Sequence, residues 1–171
     1  GNSTRMTAEQ ILHHGAVRFF SVDGGHTEDV TLNDIRLAER SIADGGIVAV
    51  DDILSYYWTG VVGGVSKYKQ AGGALVGFAL IPGKLLMCHP QHAASYREFM
   101  RDQFVGALAR RDAEFMGDPV DIFYALTDEQ LAGWVCDVLD ALETGGSTLT
   151  TVRDRVRELV VGLCQRHPVY R

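Results

Sequence analysis

The strongest constraint on the fold is a strand, helix, strand pattern within the first fifty residues. Residues Val17–Val22 are apolar, rich in β-branched and aromatic side chains, and bounded by a Gly-Gly turn, which is typical of a strand. Residues 27–43 carry apolar side chains at helical spacing. Residues 47–50 (IVAV) lack polar alternation, which predicts a strand buried on both faces, as in a parallel sheet. The pattern predicts a βαβ unit with a right-handed crossover.

The rest of the chain extends this α/β pattern. Short runs predict further helices over residues 7–14 and 58–69, and strands over 74–81 and 85–88 that form a hairpin around Pro82-Gly83-Lys84. A long helix is expected over residues 92–115, followed by helices over 127–142 and 147–165. We therefore expect an α/β domain over residues 1–116 and a helical extension packed on it over residues 117–171.

Composition and charge exclude several classes of function. With a net charge of −6 over 171 residues, the chain is expected to repel a phosphate backbone, so no nucleic-acid partner is predicted. No apolar run approaches the ~20 residues that cross a bilayer, so no membrane partner is predicted. Three widely spaced cysteines, Cys88, Cys136 and Cys164, indicate reduced and mostly buried thiols of a cytoplasmic protein.

Three acidic residues follow the two strands of the βαβ unit. Asp23 follows the first strand, and Asp51 and Asp52 follow the second. Parallel neighbours lie ~4.8 Å apart, and ligands of open α/β sheets bind at these strand ends. Three clustered carboxylates repel one another unless a hard divalent cation such as Mg²⁺ lies between them. His26, on the turn after Asp23, could serve as a general base toward a hydroxyl.

Other interpretations of these residues stay open. Asp-Gly-Gly is a common turn, either Asp51 or Asp52 could cap a helix, and a histidine on a turn is usually just solvated. Just past the acidic pair, Tyr57 and Trp58 could line a pocket for an acceptor molecule, or they could be core or interface anchors.

Three segments resemble a known family. They are residues 19–27 (FFSVDGGHT), Asn33-Asp34, and residues 44–52 (DGGIVAVDD), with Trp58, Gly60 and Val61 fitting as well. They resemble the fourth-to-fifth-strand segment of class I S-adenosylmethionine-dependent methyltransferases. Within that family they are most similar to the metal-dependent sugar and natural-product O-methyltransferases, including the macrocin type.

The resemblance implies a role for each matching residue. Asp23, Asp51 and Asp52 match the positions that hold Mg²⁺, and Asp23 would also lie beside the methyl donor. His26 matches a position proposed as the general base. Asn2-Ser3 resembles the short motif near the adenine of S-adenosylmethionine. The implied activity is methyl transfer to a small hydroxylated acceptor.

The resemblance covers only part of such a domain. No Gly-rich loop precedes a helix near the N-terminus, so the chain would correspond to the second half of a Rossmann-like methyltransferase sheet. It would hold strands four to seven, which are contiguous in the family's order 3-2-1-4-5-7-6. The strand 17–22 would then expose an apolar edge that invites pairing with another chain, such as a second copy.

Two further functions stay open. The chain could be a non-catalytic α/β module for assembly or binding that keeps the methyltransferase scaffold. A metal-dependent phosphohydrolase would use the same acidic cluster, but it should also have a nucleophilic Asp with a nearby Lys and a phosphate-binding loop, which the sequence lacks.

Overall fold

A computed structural model describes residues 2–124, 126, 129–133 and 135–136. The chain divides into two compact units, residues 1–125 and residues 126–171. The strands and the numbered helices given below all lie in the first unit.

The first unit alternates strands and helices in its N-terminal half and ends in two hairpin-linked strands. After a short 3₁₀ turn at Ser3–Arg5, the elements in chain order are α1 (Ala8–Leu12), β1 (Val17–Val22), α2 (Glu28–Ser41), β2 (Ile42–Asp51), α3 (Thr59–Gln70), β3 (Val76–Ile81), β4 (Lys84–Cys88), α4 (Pro90–Gln103), a 3₁₀ turn (Val105–Ala107), β5 (Leu108–Phe115) and β6 (Asp118–Phe123).

In the described part of the chain, six strands form one open, mixed sheet with the order β1-β2-β4-β3-β6-β5. β1 and β2 are parallel, whereas β4 runs antiparallel to both β2 and β3. The fold is therefore a Rossmann-like α/β fold, as predicted. The order β1-β2-β4-β3 also reproduces the expected order of strands four, five, seven and six. Among the described strands β1 lies at one edge of the sheet, also as expected.

The prediction of a helix over residues 92–115 is wrong beyond Gln103. Residues 108–115 form β5, which pairs with β6 across a turn at Met116 and Gly117, both with positive φ (51° and 84°). Two consecutive residues with positive φ are typical of tight hairpin turns. The apolar residues that indicated a helix were Tyr96, Phe99, Phe104 and Leu108, and only Leu108 lies in this segment, where strand pairing decides the conformation. The sheet thus continues past residue 116, and the compact unit extends to residue 125.

β2 is longer than predicted. It begins at Ile42, directly after α2, and not at Ile47. The pairing with β1 shifts register on the way, because Val17 lies opposite Ile42 whereas Phe19 lies opposite Ile47. This irregularity accommodates the Asp44-Gly45-Gly46 segment. Beyond it, every residue from Ile47 to Asp51 is buried, as expected for a central strand.

Helix α3 packs closely against α2 because glycines face that helix. A Cβ atom on Gly64 would lie 2.6 Å from the Thr31 Cβ and 2.8 Å from the Glu28 carbonyl oxygen. A Cβ on Gly60 would lie 2.9 Å from both the Glu28 amide nitrogen and the Thr27 Cα. Distances this short leave no room for a side chain. The close approach positions the start of α3 against the turn that carries His26.

The second unit is described only in part. Residues 129–133 and 135–136 are helical, in agreement with part of the predicted helix over 127–142. The rest of that helix, the predicted helix over 147–165 and Cys164 lie outside the described residues. Among the described helices, none has the length and apolar character that a bilayer crossing requires.

Candidate functional site

The ends of β1 and β2 bring acidic side chains to one edge of the sheet. Val22 of β1 lies opposite Val50 of β2, so Asp23 and Asp51 follow at the same level. Asp52 comes next and adopts a positive φ of 56°, in the left-handed region that a non-glycine residue rarely occupies. The backbone thus turns sharply at the carboxyl end of β2, which is the edge where ligands of open α/β sheets bind.

Three side chains converge at this edge. The Nε2 atom of His26 lies 3.0 Å from Oδ2 of Asp52 and 3.8 Å from Oδ1 of Asp23. One ligand atom from each residue lies within 4.8 Å of the other two, a spacing that suits a metal ion. Asp52 is buried, His26 is mostly buried, and the side chain of Asp23 is half exposed. The cluster is therefore open to solvent on the Asp23 side.

The imidazole of His26 is stacked on an aromatic ring, and its Nε2 atom is buried. Its Nε2 atom is shielded from solvent, yet it forms no aligned hydrogen bond despite its short distance to Asp52. The imidazole stacks on the ring of Trp58, with ring centroids 4.4 Å apart and planes 22° apart. The stacking fixes the plane of the imidazole, while Nε2 remains directed toward the two carboxylates.

Asp51 has other partners. Its Oδ2 atom lies 2.7 Å from Nζ of Lys84, and both side chains are mostly buried. Its Oδ1 atom accepts a hydrogen bond from the backbone N–H of Asp52 at 3.0 Å. Both oxygens of Asp51 are thus engaged within the protein. The residue lies beside the cluster of Asp23, His26 and Asp52 and supports its backbone.

The surroundings of Asp23 shift the pKa of its carboxyl group. Partial burial raises the pKa of this carboxyl group above its usual value, and the negative charges of Asp51 and Asp52 add to the increase. The positive charge of Lys84 and the imidazole of His26 act in the opposite direction. The net shift is upward, mainly because burial disfavours the charged form of the carboxyl group. A cation bound beside Asp23 would favour that charged form and act against the shift.

Exposed aromatic side chains follow the acidic pair in the chain, and one of them, Trp58, contacts the cluster through His26. Tyr57 is 69% exposed and Trp58 is 47% exposed, so neither belongs to the core. Tyr56 is exposed too, and its ring lies 4.1 Å from that of Tyr57. Exposed aromatic rings suit contact with an organic molecule, and Trp58 offers such a ring beside the cluster.

The N-terminal residues that the sequence singled out lie beside α2. The side chain of Asn2 accepts hydrogen bonds from the backbone and hydroxyl of Thr4 and thereby caps the first 3₁₀ turn. The carbonyl oxygen of Ser3 accepts a hydrogen bond from Asn33. Asn33 in turn contacts Asp34, a buried carboxylate that lies against Gly24. This chain of contacts links the N-terminal segment to the turn that follows Asp23.

Sequence reasoning missed Lys84 as a residue of the site. Lys84 opens β4, where it pairs directly with Asp51 across the antiparallel strands. The signal in the sequence was a lysine in the turn of a predicted hairpin, which is an ordinary position for a solvated residue. Its placement against Asp51 depends on which strand the hairpin joins, and this is a long-range property.

Comparison with known protein families gives a match to the part of the chain that contains the cluster. Residues 1–53 match the family described as a methyltransferase domain. This segment contains Asp23, His26, Asp51 and Asp52, but it covers only about a third of the chain. Together with the Rossmann-like sheet, the match supports a methyltransferase.

A second similarity is short. The chain is 69% identical over 42 residues to Serine hydroxymethyltransferase 2 of Pectobacterium atrosepticum. These residues are 25% of this chain and 10% of the relative, so the chain spans a small part of that protein's length. No solved structure matches the chain.

Proposed function

We propose that the protein takes part in methyl transfer from S-adenosylmethionine to a hydroxyl group of a small molecule, assisted by a divalent cation. The observation that carries the proposal is the cluster of Asp23, His26 and Asp52 at the ligand-binding edge of the sheet. It lies within the segment that matches a methyltransferase domain.

The residues present fit a divalent cation. Asp23 and Asp52 supply two carboxylates, and the buried Nε2 of His26 lacks an aligned hydrogen bond. The resemblance also assigns Asp51 to the cation, but the pairing of Asp51 with Lys84 argues for the other two acids. Mg²⁺ or a similar ion held by these groups would lower the pKa of an acceptor hydroxyl.

S-adenosylmethionine, when bound, would supply an electrophilic methyl group: a C–O bond to the acceptor would form, the C–S bond would break, and S-adenosylhomocysteine would be released. His26 or Asp23 would take the proton of the acceptor hydroxyl. Positioning supplies much of the rate increase for a transfer of this kind. The residues that would bind the donor are Asn2, Ser3 and Asp23, and Tyr57 and Trp58 would hold the acceptor.

A second candidate is a non-catalytic assembly module. One observation favours it: β1 lies at the edge of the described sheet, with partly buried residues from Val17 to Phe20 along it. An open edge strand can pair with another chain, and a homo-oligomer would result if that chain were a second copy. In this alternative the protein would bind neither S-adenosylmethionine nor a cation.

The experiment compares both candidates in one preparation. Intact mass first defines the natural protein product that contains this sequence. Calorimetry with S-adenosylmethionine, with and without Mg²⁺, then measures donor binding, and a labelled methyl group traces transfer to a panel of hydroxylated small molecules. Metal-dependent transfer supports the methyltransferase. An oligomer that binds neither ligand supports the assembly module.

A further inference from the structure

We propose that the cation site is a mixed nitrogen and oxygen site formed by Asp23, His26 and Asp52, and that it selects a transition metal such as Mn²⁺ or Co²⁺ over Mg²⁺. The proposal rests on the cation-binding part of the proposed function. It changes the ligand set, because His26 replaces Asp51, and with it the class of metal.

The first argument is the position of Nε2 of His26. This atom is fully shielded from solvent and lies 3.0 Å and 3.8 Å from oxygens of the two acids. It forms no aligned hydrogen bond with either of them, although its distance to both oxygens is short enough for the three atoms to share one cation. A metal ion between the three atoms would use the nitrogen and both oxygens at once.

The second argument is the engagement of Asp51. One of its oxygens lies 2.7 Å from the ammonium group of Lys84, and the other accepts the backbone N–H of Asp52. Recruiting Asp51 to the metal would leave the mostly buried Lys84 without its counter-charge. Breaking a buried ion pair is strongly unfavourable. The two carboxylates of Asp23 and Asp52 already balance the charge of a divalent ion.

The third argument is that the imidazole is prepared to bind. Its ring stacks on Trp58, which restricts rotation and keeps Nε2 directed at the carboxylates. Metal-binding histidines are usually oriented by neighbouring groups, most often through a hydrogen bond to the second ring nitrogen, and stacking on Trp58 restricts the ring here. A solvated histidine on a turn would have no such restriction.

The donor set determines which metal is favoured. Sites made of carboxylates and water suit Mg²⁺, Ca²⁺ and Mn²⁺, whereas imidazole nitrogen raises affinity for later transition metals. For a given set of nitrogen and oxygen ligands, affinity increases from Mn²⁺ to Co²⁺. We therefore expect the site to bind Co²⁺ more tightly than Mn²⁺, and both more tightly than Mg²⁺.

The test uses metal binding by the 171-residue chain, with Co²⁺, Mn²⁺ and Mg²⁺ as separate probes in calorimetry. We expect His26→Ala and Asp52→Asn each to weaken Co²⁺ binding at least ~10-fold. His26→Ala should weaken Mg²⁺ binding less than Co²⁺ binding. The matched control is His92→Ala, since His92 also pairs with an aspartate, Asp44, at 2.8 Å. This variant should bind all three ions as the unmodified chain does.

Asp51→Asn separates the two possible ligand sets. It should retain Co²⁺ affinity within about 3-fold, whereas a site of three carboxylates requires a loss equal to that of Asp52→Asn. The double variant Asp51→Asn with Lys84→Met removes the ion pair without leaving a buried charge, so it controls for destabilisation. Circular dichroism confirms that each variant is folded before binding is measured.

A spectroscopic measurement identifies the ligand directly. Pulsed electron paramagnetic resonance of bound Mn²⁺ should detect coupling to an imidazole nitrogen in the unmodified chain and in His92→Ala, and should lose it in the folded His26→Gln variant. Absence of nitrogen coupling in the unmodified chain would overturn the proposal. Metal binding with nitrogen coupling but no methyl transfer would sink the proposed function alone.

Discussion

Lys84 and Asp51 form an ion pair across β2 and β4, with 2.7 Å between Nζ and Oδ2. The two residues lie directly opposite each other in the antiparallel register. Asp51 also accepts the backbone N–H of Asp52, whose backbone turns sharply there. The hydrogen bond to Asp51 therefore supports the turn that presents Asp52 to His26, while Lys84 balances the charge of Asp51.

Replacing Lys84 by methionine should lower the stability of the fold and raise its affinity for a divalent cation. Because Asp51 is mostly buried, the loss of its counter-charge should lower the free energy of unfolding by about 3 kcal/mol. The same change removes a positive charge near the cluster, so affinity for a divalent cation should rise. Added Mn²⁺ should therefore raise the Tm of Lys84→Met more than that of the unmodified chain.

The control for this prediction is Lys67→Met. Lys67 pairs with Glu28 at 2.8 Å, but both side chains are close to half exposed. Exposed ion pairs contribute little, so this variant should change neither stability nor the response to Mn²⁺ appreciably. A Lys84→Met variant that binds Mn²⁺ more weakly than the unmodified chain would contradict the electrostatic argument.

Trp58 should matter through the orientation of His26. Trp58→Ala removes the ring that stacks on the imidazole and should weaken divalent-cation binding by about 10-fold. Trp58→Phe keeps an aromatic face and should retain most of the affinity. Tyr124→Ala, which removes another exposed aromatic ring, is the control and should have no effect. Equal affinity in Trp58→Ala and the unmodified chain would show that stacking does not prepare the site.

Gly60 should not tolerate a side chain. A Cβ there would lie 2.9 Å from backbone atoms of Thr27 and Glu28, which cannot move aside as a flexible side chain could. Gly60→Ala should therefore lower the free energy of unfolding by about 1–3 kcal/mol, measured by urea denaturation. Gly106→Ala is the matched control, because nothing lies within 4 Å of its added Cβ.

Local patterns in the sequence were enough to predict that the acidic residues after β1 and β2 lie at one edge of the sheet. β1, α2 and β2 are adjacent in the chain, and parallel pairing of β1 with β2 necessarily places Asp23 and Asp51 at one edge. What the pattern could not give was the partner of each acid. The pairing of Asp51 with Lys84 depends on the strand that β4 joins, and the position of His26 depends on the stacked ring of Trp58.

The β5–β6 hairpin shows a different limit of sequence reasoning. Its first strand was predicted as the end of a helix over residues 92–115, because apolar residues from Tyr96 to Leu108 have helical spacing. The strand is held by distant contacts: Asp121 accepts hydrogen bonds from the backbone of Asp112 and from the guanidinium of Arg101 in α4. Such contacts between residues far apart in sequence cannot be read from periodicity alone.

Tyr68 should stabilise the fold through its hydroxyl. The side chain is buried, and its hydroxyl donates to Glu39 and accepts the backbone N–H of Leu75 at 2.9 Å. Tyr68→Phe leaves the buried N–H of Leu75 without this partner and should cost about 1–3 kcal/mol of stability in urea denaturation. Tyr57→Phe, at an exposed position, should leave stability unchanged.

Cys88 should be chemically inert in the folded protein. Burial raises the pKa of its thiol to about 12, and the effect of Arg97 in the opposite direction is smaller. The thiolate is the reactive form, so at pH 8.5 iodoacetamide should modify Cys88 only after unfolding in urea. Peptide mass spectrometry distinguishes this residue from Cys136 and Cys164. Rapid alkylation of native Cys88 at pH 8.5 would show that β4 opens without global unfolding.

The raised pKa of Cys88 should also make stability depend on pH. Because the folded state holds the thiol proton more tightly than the unfolded state does, the free energy of unfolding should fall as the pH rises from about 8.5 toward 12. Cys88→Ala should reduce the slope of that fall.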